Sequence, residues 1–293
     1  MNNIFSFILM FYFYRKTKPA EFLVINNGGK LMDLKLKNKV VLVTASSQGL
    51  GFATAKKFLE EGAKVMITSH NLENLRLAYK ELQSITYGEQ LSYVVADLTS
   101  TSDIEDLLAK TRSKFGMIDI VVNNTGGPKS ASFEQLYEDD WSDAYELILR
   151  SAIQIIRLAL PDLKKTQGVI INSVSASTKQ PLSGLILSNT FRMAILGLSK
   201  SLANEFGKYG IRVNAISPGQ ILTNRVQALD EIKAEKDNTS IEKVRQQSET
   251  TIPLGRYGKA EEFANVVVLL ASSVSHYVNG SNVVVDGGQV LSY

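Results

Sequence analysis

The stretch VVLVTASSQGLGFATAKKFLEEG, Val40 to Gly62, decides the fold. A short β-branched run breaks into small residues around Gly49 and Gly51, then continues as a helix-length amphipathic segment closed by Gly62. A strand running straight into such a turn and helix lets the backbone approach a pyrophosphate, with free N–H groups and a positive dipole end aimed at it. The alternative is that Gly49 and Gly51 merely permit close packing of strand against helix.

Outward from this stretch the same alternation repeats. VVLVT (Val40 to Thr44), KVMIT (Lys64 to Thr68), LSYVVA (Leu91 to Ala96), IDIVVNN (Ile118 to Asn124), GVIINS (Gly168 to Ser173), IRVNAIS (Ile211 to Ser217) and NVVVDG (Asn282 to Gly287) read as strands. They lack strict apolar/polar alternation, as strands buried on both faces do. Helix-length segments lie between them, including DIEDLLAKTRSKFG, which ends at a capping Gly116. Strand, helix, strand in repetition predicts right-handed crossovers and a doubly wound parallel sheet, an α/β Rossmann fold in a single domain. A polar, charge-rich insertion spans 222–251, at the carboxyl end of the sixth strand, where it is placed to act as a lid.

Composition narrows the function. The 293 residues carry 32 basic and 29 acidic side chains, a net charge of +3 with no long basic run, so the partner expected is a small molecule, with no nucleic acid and no anionic membrane surface. There is no cysteine, which removes disulfides, thiolate nucleophiles and thiolate metal sites and fits a reducing, cytoplasmic location. His70 and His276 are the only histidines and lie far apart, so neither a metal cluster nor a Ser/His/Asp triad is expected. Residues 1–31 form an extension ahead of the 32–293 domain. Its apolar run Ile4 to Tyr14 is shorter than the roughly 17–25 residues of a membrane span. It reads as a disordered or surface-docked segment upstream of a working start at Met32, with a weak membrane-surface anchor as the alternative.

Thr44, Gly49 and Gly51 resemble the T-G-x-x-x-G-x-G motif of the short-chain dehydrogenase/reductase family, with Ala45 in place of its first glycine. NNTGG (Asn123 to Gly127), SPGQILT (Ser217 to Thr223), PLGRYGKAEEFA (Pro253 to Ala264) and NGSNVVVDGG (Asn279 to Gly288) resemble further family segments, so the resemblance runs from Lys37 to Gly288. It implies Ser46, Gln48 and Leu50 around the pyrophosphate of a nicotinamide cofactor and Asp97 and Leu98 near its adenine. It also implies Asn123 and Gly126 under a ribose, with Pro218, Gly219, Ile221 and Thr223 along the nicotinamide. Plain structural roles stand beside these: Asp97 as a helix cap, Asn123 as a strand-end hydrogen bonder, Pro218 and Gly219 as a turn. After the second strand come Ser69, His70 and Asn71, with no acid to bind a ribose 2′-hydroxyl, which leans toward NADP over NAD. His70 then contacts the 2′-phosphate or simply faces solvent.

The resemblance also implies a Ser, a Tyr and a Lys, with an Asn from the preceding helix: Tyr transfers the proton, Lys lowers its pKa and Ser holds the substrate oxygen. Here Ser175 matches the Ser, but Ser188 stands in the Tyr place, Arg192 in the Lys place and Ile148 in the Asn place. Four residues apart on the helix LSNTFRMAILGLSKSLANEF, Ser188 and Arg192 share one face toward the nicotinamide cleft. Arg192 also keeps a permanent charge and adds a fork suited to a carboxylate, a phosphate or a ribose diol. Two functions follow. One is an NAD(P)-dependent oxidoreductase acting on a carbonyl or alcohol, its substrate anionic where Arg192 reads it, with water, Ser188 or Arg192 completing the proton path. The other is a degenerate cofactor-binding protein acting as a sensor or assembly partner. The acyl-carrier-protein reductases look nearest in overall pattern, and the family implies a homotetramer.

Overall fold

The structure, a computed structural model, describes residues 32–86 and 89–292; the expectation for residues 1–31 lies outside them, apart from the neighbouring Met32. Seven parallel strands form one sheet in the order β3-β2-β1-β4-β5-β6-β7. They are β1 Val40–Val43, β2 Lys64–Ser69, β3 Leu91–Val95, β4 Ile120–Asn123, β5 Val169–Ser173, β6 Arg212–Pro218 and β7 Asn282–Val285. All seven expected strands are present, shifted by a residue or two at their ends.

Strand β1 shows why these runs are apolar throughout. Val41 and Val43 point into one core with α1 (Gly49–Glu60), α2 (Leu72–Gln83) and α9 (Ala260–Ala271). Val40 and Leu42 point into the other, with α3 (Thr101–Phe115), α5 (Ser151–Thr166) and α6 (Ile186–Phe206). Successive side chains alternate faces, and helices cover both, so no position can be polar without cost. Phe58 of α1 and Phe263 of α9 are among the largest wholly buried side chains. The chain leaves β3 at one edge and returns to β4 beside β1, so the sheet reverses direction of winding between β1 and β4. A crevice opens there at the carboxyl ends of the strands.

One feature had no counterpart in the sequence reading. Helix α4 (Glu138–Ala144) runs into a π-helical turn at Tyr145–Arg150 before α5 begins. Such turns insert one residue into the helical ladder and often mark functional sites. This one carries Ile148 into a small apolar cluster with Val174, Ile195 and Ala215. The polar segment 222–251 folds as two helices, α7 (Asn224–Lys236) and α8 (Ile241–Thr250). Its few apolar anchors include Ala234 and Val244, and the Tyr257 hydroxyl donates to buried Asp230 at 3.1 Å. The Arg245 guanidinium lies 5.8 Å from the Tyr257 ring centre. No helix among the described residues is long and apolar enough to cross a membrane.

Candidate active site

The crevice between β1 and β4 is built around the turn that follows β1. Ala45 adopts φ 44°, in the left-handed region, and Gly49 φ 58°. A Cβ on Gly51 would sit 2.3 Å from the Ala45 carbonyl oxygen, so only glycine allows the turn to close onto α1. The Gln48 side chain does not cap α1, which leaves the helix N-terminal N–H groups facing the crevice. The Ser46 hydroxyl is committed elsewhere: it donates to the Val43 carbonyl at 2.7 Å and accepts from the Thr68 N–H at 3.0 Å, tying β1 to β2.

Asn124, which the sequence reading did not single out, holds this turn from the other side of the crevice. Its N–H donates to Thr44 Oγ1 at 2.8 Å, its carbonyl accepts from the same hydroxyl at 2.6 Å, and its Nδ2 donates to the Ala45 carbonyl at 3.1 Å. Asn123 does something different. Buried at the end of β4, it donates from Nδ2 to Asn172 Oδ1 at 2.8 Å, and Asn172 donates onward to Ser199 Oγ at 2.8 Å. Asn123 is thus a strand-end hydrogen bonder turned into the sheet, and its Oδ1 has no partner. That atom borders a cavity of about 10 Å³ whose lining includes Thr44, Thr125, Ile148, Ser173 and Arg192. The cavity has room for about one water and no substrate.

Past the end of β3, Asp97 is exposed, and its carboxylate accepts from the Thr99 N–H and hydroxyl at 2.9 and 2.8 Å. The cap of α3 is Ser100, so the cap reading of Asp97 is corrected: the last residue before the helix outcompetes one three earlier. Leu98 and Ser69 are buried, whereas His70 is exposed just past β2. At the opposite end, a Cβ on Gly219 would lie 2.5 Å from Asp286 Cβ, which explains the glycine beside Pro218 where β7 ends. Ile221 is buried and bridges to Gly258. Thr223 caps α7, and its Cγ2 lies 3.5 Å from where a Gly49 Cβ would be. Asn224 Nδ2 donates to Gln48 Oε1 at 3.2 Å, so α7 rests on the glycine turn across the crevice.

The residues expected to carry the chemistry lie just after β5 and on α6. Ser175 follows β5, is half-buried and caps a single helical turn, its Oγ accepting from the Ser177 N–H at 3.1 Å. Ser188 and Arg192 both lie on the buried side of α6. Arg192 is only 7% exposed. Its Nη1 donates to the Ser173 carbonyl at 2.8 Å, and its Nη2 reaches Thr125 Oγ1 and the Gly126 carbonyl at 3.4 Å each. Burial, with repulsion from Arg225 on α7, lowers the Arg192 pKa to about 10, which still leaves it cationic at neutral pH. Ile148, in the place of the family's Asn, is wholly apolar and buried, so it offers no polar link from this site to α5.

Comparison with known proteins agrees with this architecture. The family described as enoyl-(acyl carrier protein) reductase matches residues 44–289. The chain is 32% identical over 259 residues to the 3-oxoacyl-[acyl-carrier-protein] reductase FabG of Thermotoga maritima, covering 88% of this chain and all of that one. It is 33% identical to the 3alpha-hydroxysteroid dehydrogenase of Mediterraneibacter gnavus, covering 87% and 98%. Among solved structures, L-sorbose reductase of Gluconobacter frateurii, complexed with NADPH and L-sorbose, superposes with a TM-score of 0.85 at 30% identity, covering 89% of this chain and all of that chain. The chain belongs to the short-chain dehydrogenase/reductase family. It is an NAD(P)-dependent oxidoreductase of that type, and the cradle at Gly51 and the uncapped start of α1 fit such a cofactor.

Proposed function

We propose that this chain reduces a small carbonyl compound with NADPH as the preferred donor, through a site in which Ser188 and Arg192 stand in place of the usual Tyr and Lys. The observation that carries the reading is a buried guanidinium beside the β5 end with no carboxylate partner among the described residues. When bound, the cofactor supplies hydride. Thr44, Gly49, Gly51 and Asn124 shape its cradle, with Gln48, Leu50, Asp97, Leu98, Gly126, Pro218, Ile221 and Thr223 along its length. Ser175 holds the substrate oxygen. Arg192 opposes the negative charge that develops on that oxygen, since a preorganised cation in a dry site needs no reorganisation as charge appears. The proton then comes from water or through Ser188, because an alkanol hydroxyl has no ionisation of its own near neutral pH. Ser69 and His70, with no acid beside them, support NADPH over NADH.

Helices α7 and α8 act as the lid, their resting contacts including Asn224 on Gln48. The protein works as a homotetramer in the cytoplasm, a reading supported by the exposed Phe133, Tyr137, Tyr145 and Met193 on the outer side of α4 to α6 and by the absence of cysteine. Substrates with an anionic group suit Arg192.

NADPH consumption by the unmodified protein over a panel of carbonyl compounds tests the reading. Turnover is expected, lost by about 100-fold or more in Ser175→Ala. The rate should stay level with rising pH until it falls near pH 10, where Arg192 loses its charge. NADPH binding without consumption of any carbonyl would exclude reduction, and an inflection near pH 7 would assign the proton transfer to another group.

A further inference from the structure

Two buried arginines in this molecule have opposite surroundings. Arg212, on β6, donates to the carbonyls of Leu270, Ala271, Ser272, Ser275 and Val278, at distances from 2.8 to 3.3 Å. These include the last carbonyls of α9, the negative end of that helix, so its charge is fully answered within the fold. Arg192 has one close acceptor, the Ser173 carbonyl, and two at 3.4 Å, against five N–H donors. The charge felt from its surroundings is positive, from Arg225.

Arg225 stands in the first turn of α7 and reaches back over the loop after β4. Its Nη2 donates to the Pro128 carbonyl at 2.9 Å and to Ser130 Oγ at 3.3 Å. A Cβ on Gly127 would lie 2.7, 2.8 and 2.9 Å from Nη2, Nε and Cζ of Arg225, so the guanidinium lies flat on a residue that has no side chain to displace it. Arg192 and Arg225 therefore hold the loop Thr125 to Ser130 from α6 and from α7, and neither is paired with a carboxylate among the described residues. Two like charges converging, one of them desolvated, cost free energy unless an anion joins them.

We propose that Arg192 and Arg225 form a two-arginine receptor for the anionic group, carboxylate or phosphate, of an oxo substrate. The assignment rests on the reductase reading above and adds the residue that selects the substrate. Arg192 grips the Ser173 carbonyl, two residues before Ser175, so the anionic group belongs within a few carbons of the reacting carbonyl. Arg225 comes from α7, so an anion held by both guanidiniums ties that helix to α6. A neutral carbonyl compound leaves both guanidiniums unanswered and is discriminated against.

Calorimetric titration of the whole protein with malonate and, separately, with inorganic phosphate, each with and without NADP⁺, reads the receptor without any turnover. Saturable binding of malonate, of phosphate or of both is expected, and the stronger of the two assigns carboxylate or phosphate. Arg225→Gln should weaken it about tenfold or more, the loss of one charge-assisted contact. Gly127→Ala should do the same by displacing the flexible end of Arg225, with the fold intact. Lys233→Gln, which removes one charge from the exposed side of the same helix, should leave anion affinity unchanged. In turnover, 2-oxo and 3-oxo carboxylates should exceed their methyl esters in kcat/KM by about tenfold or more, and Arg225→Gln should narrow that ratio. Failure of both anions to bind, or binding that Arg225→Gln and Gly127→Ala leave unchanged, overturns the receptor. A parallel loss of NADP⁺ affinity in Arg225→Gln would make Arg225 a cofactor ligand instead. Anion binding that follows these expectations, in a protein that consumes no NADPH, would overturn the reductase reading and leave the receptor standing.

Discussion

Ala45 occupies a backbone position that opposes any side chain. At φ 44° its Cβ crowds the following carbonyl, at a cost of roughly 1–2 kcal/mol for an L-residue. Glycine removes that cost and loses part of the gain to its own unfolded-state entropy. Ala45→Gly is therefore expected to stabilise the protein by about 0.5–1 kcal/mol, a rise in Tm of about 1–3 °C by calorimetry. A fall in Tm would mean that the turn relaxes out of the left-handed region and carries no strain. The adjacent Asn124 shows the limit of reading residues one at a time. Asn123 and Asn124 are chemically identical neighbours, yet alternation along a strand end turns one into the sheet and the other onto the glycine turn. Nothing local to NNTGG distinguishes them.

At the scale of elements, the start of α9 shows how a helix terminus is held. Glu262, in the first turn, takes a two-pronged contact from Arg256 at 2.8 and 2.7 Å and accepts the Lys259 N–H at 2.8 Å. The Arg256 contact, with the Lys259 N–H next, lowers its pKa from an ordinary 4.5 to about 2. The stabilisation from this carboxylate is thus complete above about pH 4.5 and is lost as pH falls toward 2. Because the pair is largely exposed, it contributes no more than about 1 kcal/mol. Glu262→Gln should lower stability by that amount at pH 7, and the two proteins should converge in urea melts near pH 2. A constant difference across that range would assign the loss to helix propensity. Helices α7 and α8 illustrate the opposite case: they have little apolar surface, and their position depends on a few buried polar contacts such as Tyr257 with Asp230.

For the whole molecule, the outer side of α4 to α6 leaves an aromatic group uncovered. Phe133 and Trp141 meet edge to face at 6.2 Å, Trp141 meets Phe191 at 6.2 Å, and Tyr145 and Met193 are exposed nearby. Apolar groups of this kind mark association surfaces, and closed symmetric assemblies are their usual outcome. Sedimentation velocity at micromolar protein should give a tetramer, and Met193→Glu together with Tyr145→Glu should shift it to smaller species. A monomeric unmodified protein would show that the aromatic group serves something other than self-association.

The fold was legible in the chain because its signal is local and repeated. Seven doubly apolar strands separated by amphipathic helices admit few arrangements once crossovers must be right-handed, and the glycines at 49 and 51 mark the turn from the first strand into its helix. The departures at Ser188 and Arg192 were also visible, since their spacing puts both on one side of α6. Tertiary structure alone decided what Arg192 faces. Its carbonyl partner lies 19 residues away on β5, its weaker contacts lie 66 and 67 residues away after β4, and its opposing charge, Arg225, lies 33 residues further on, on α7. The turn of β4 that separates Asn123 from Asn124, and the bare surface of Gly127 on which Arg225 rests, belong to the same class. Charge and hydrogen bonding act through space, and the distances that set them are fixed only when the strands have been laid side by side.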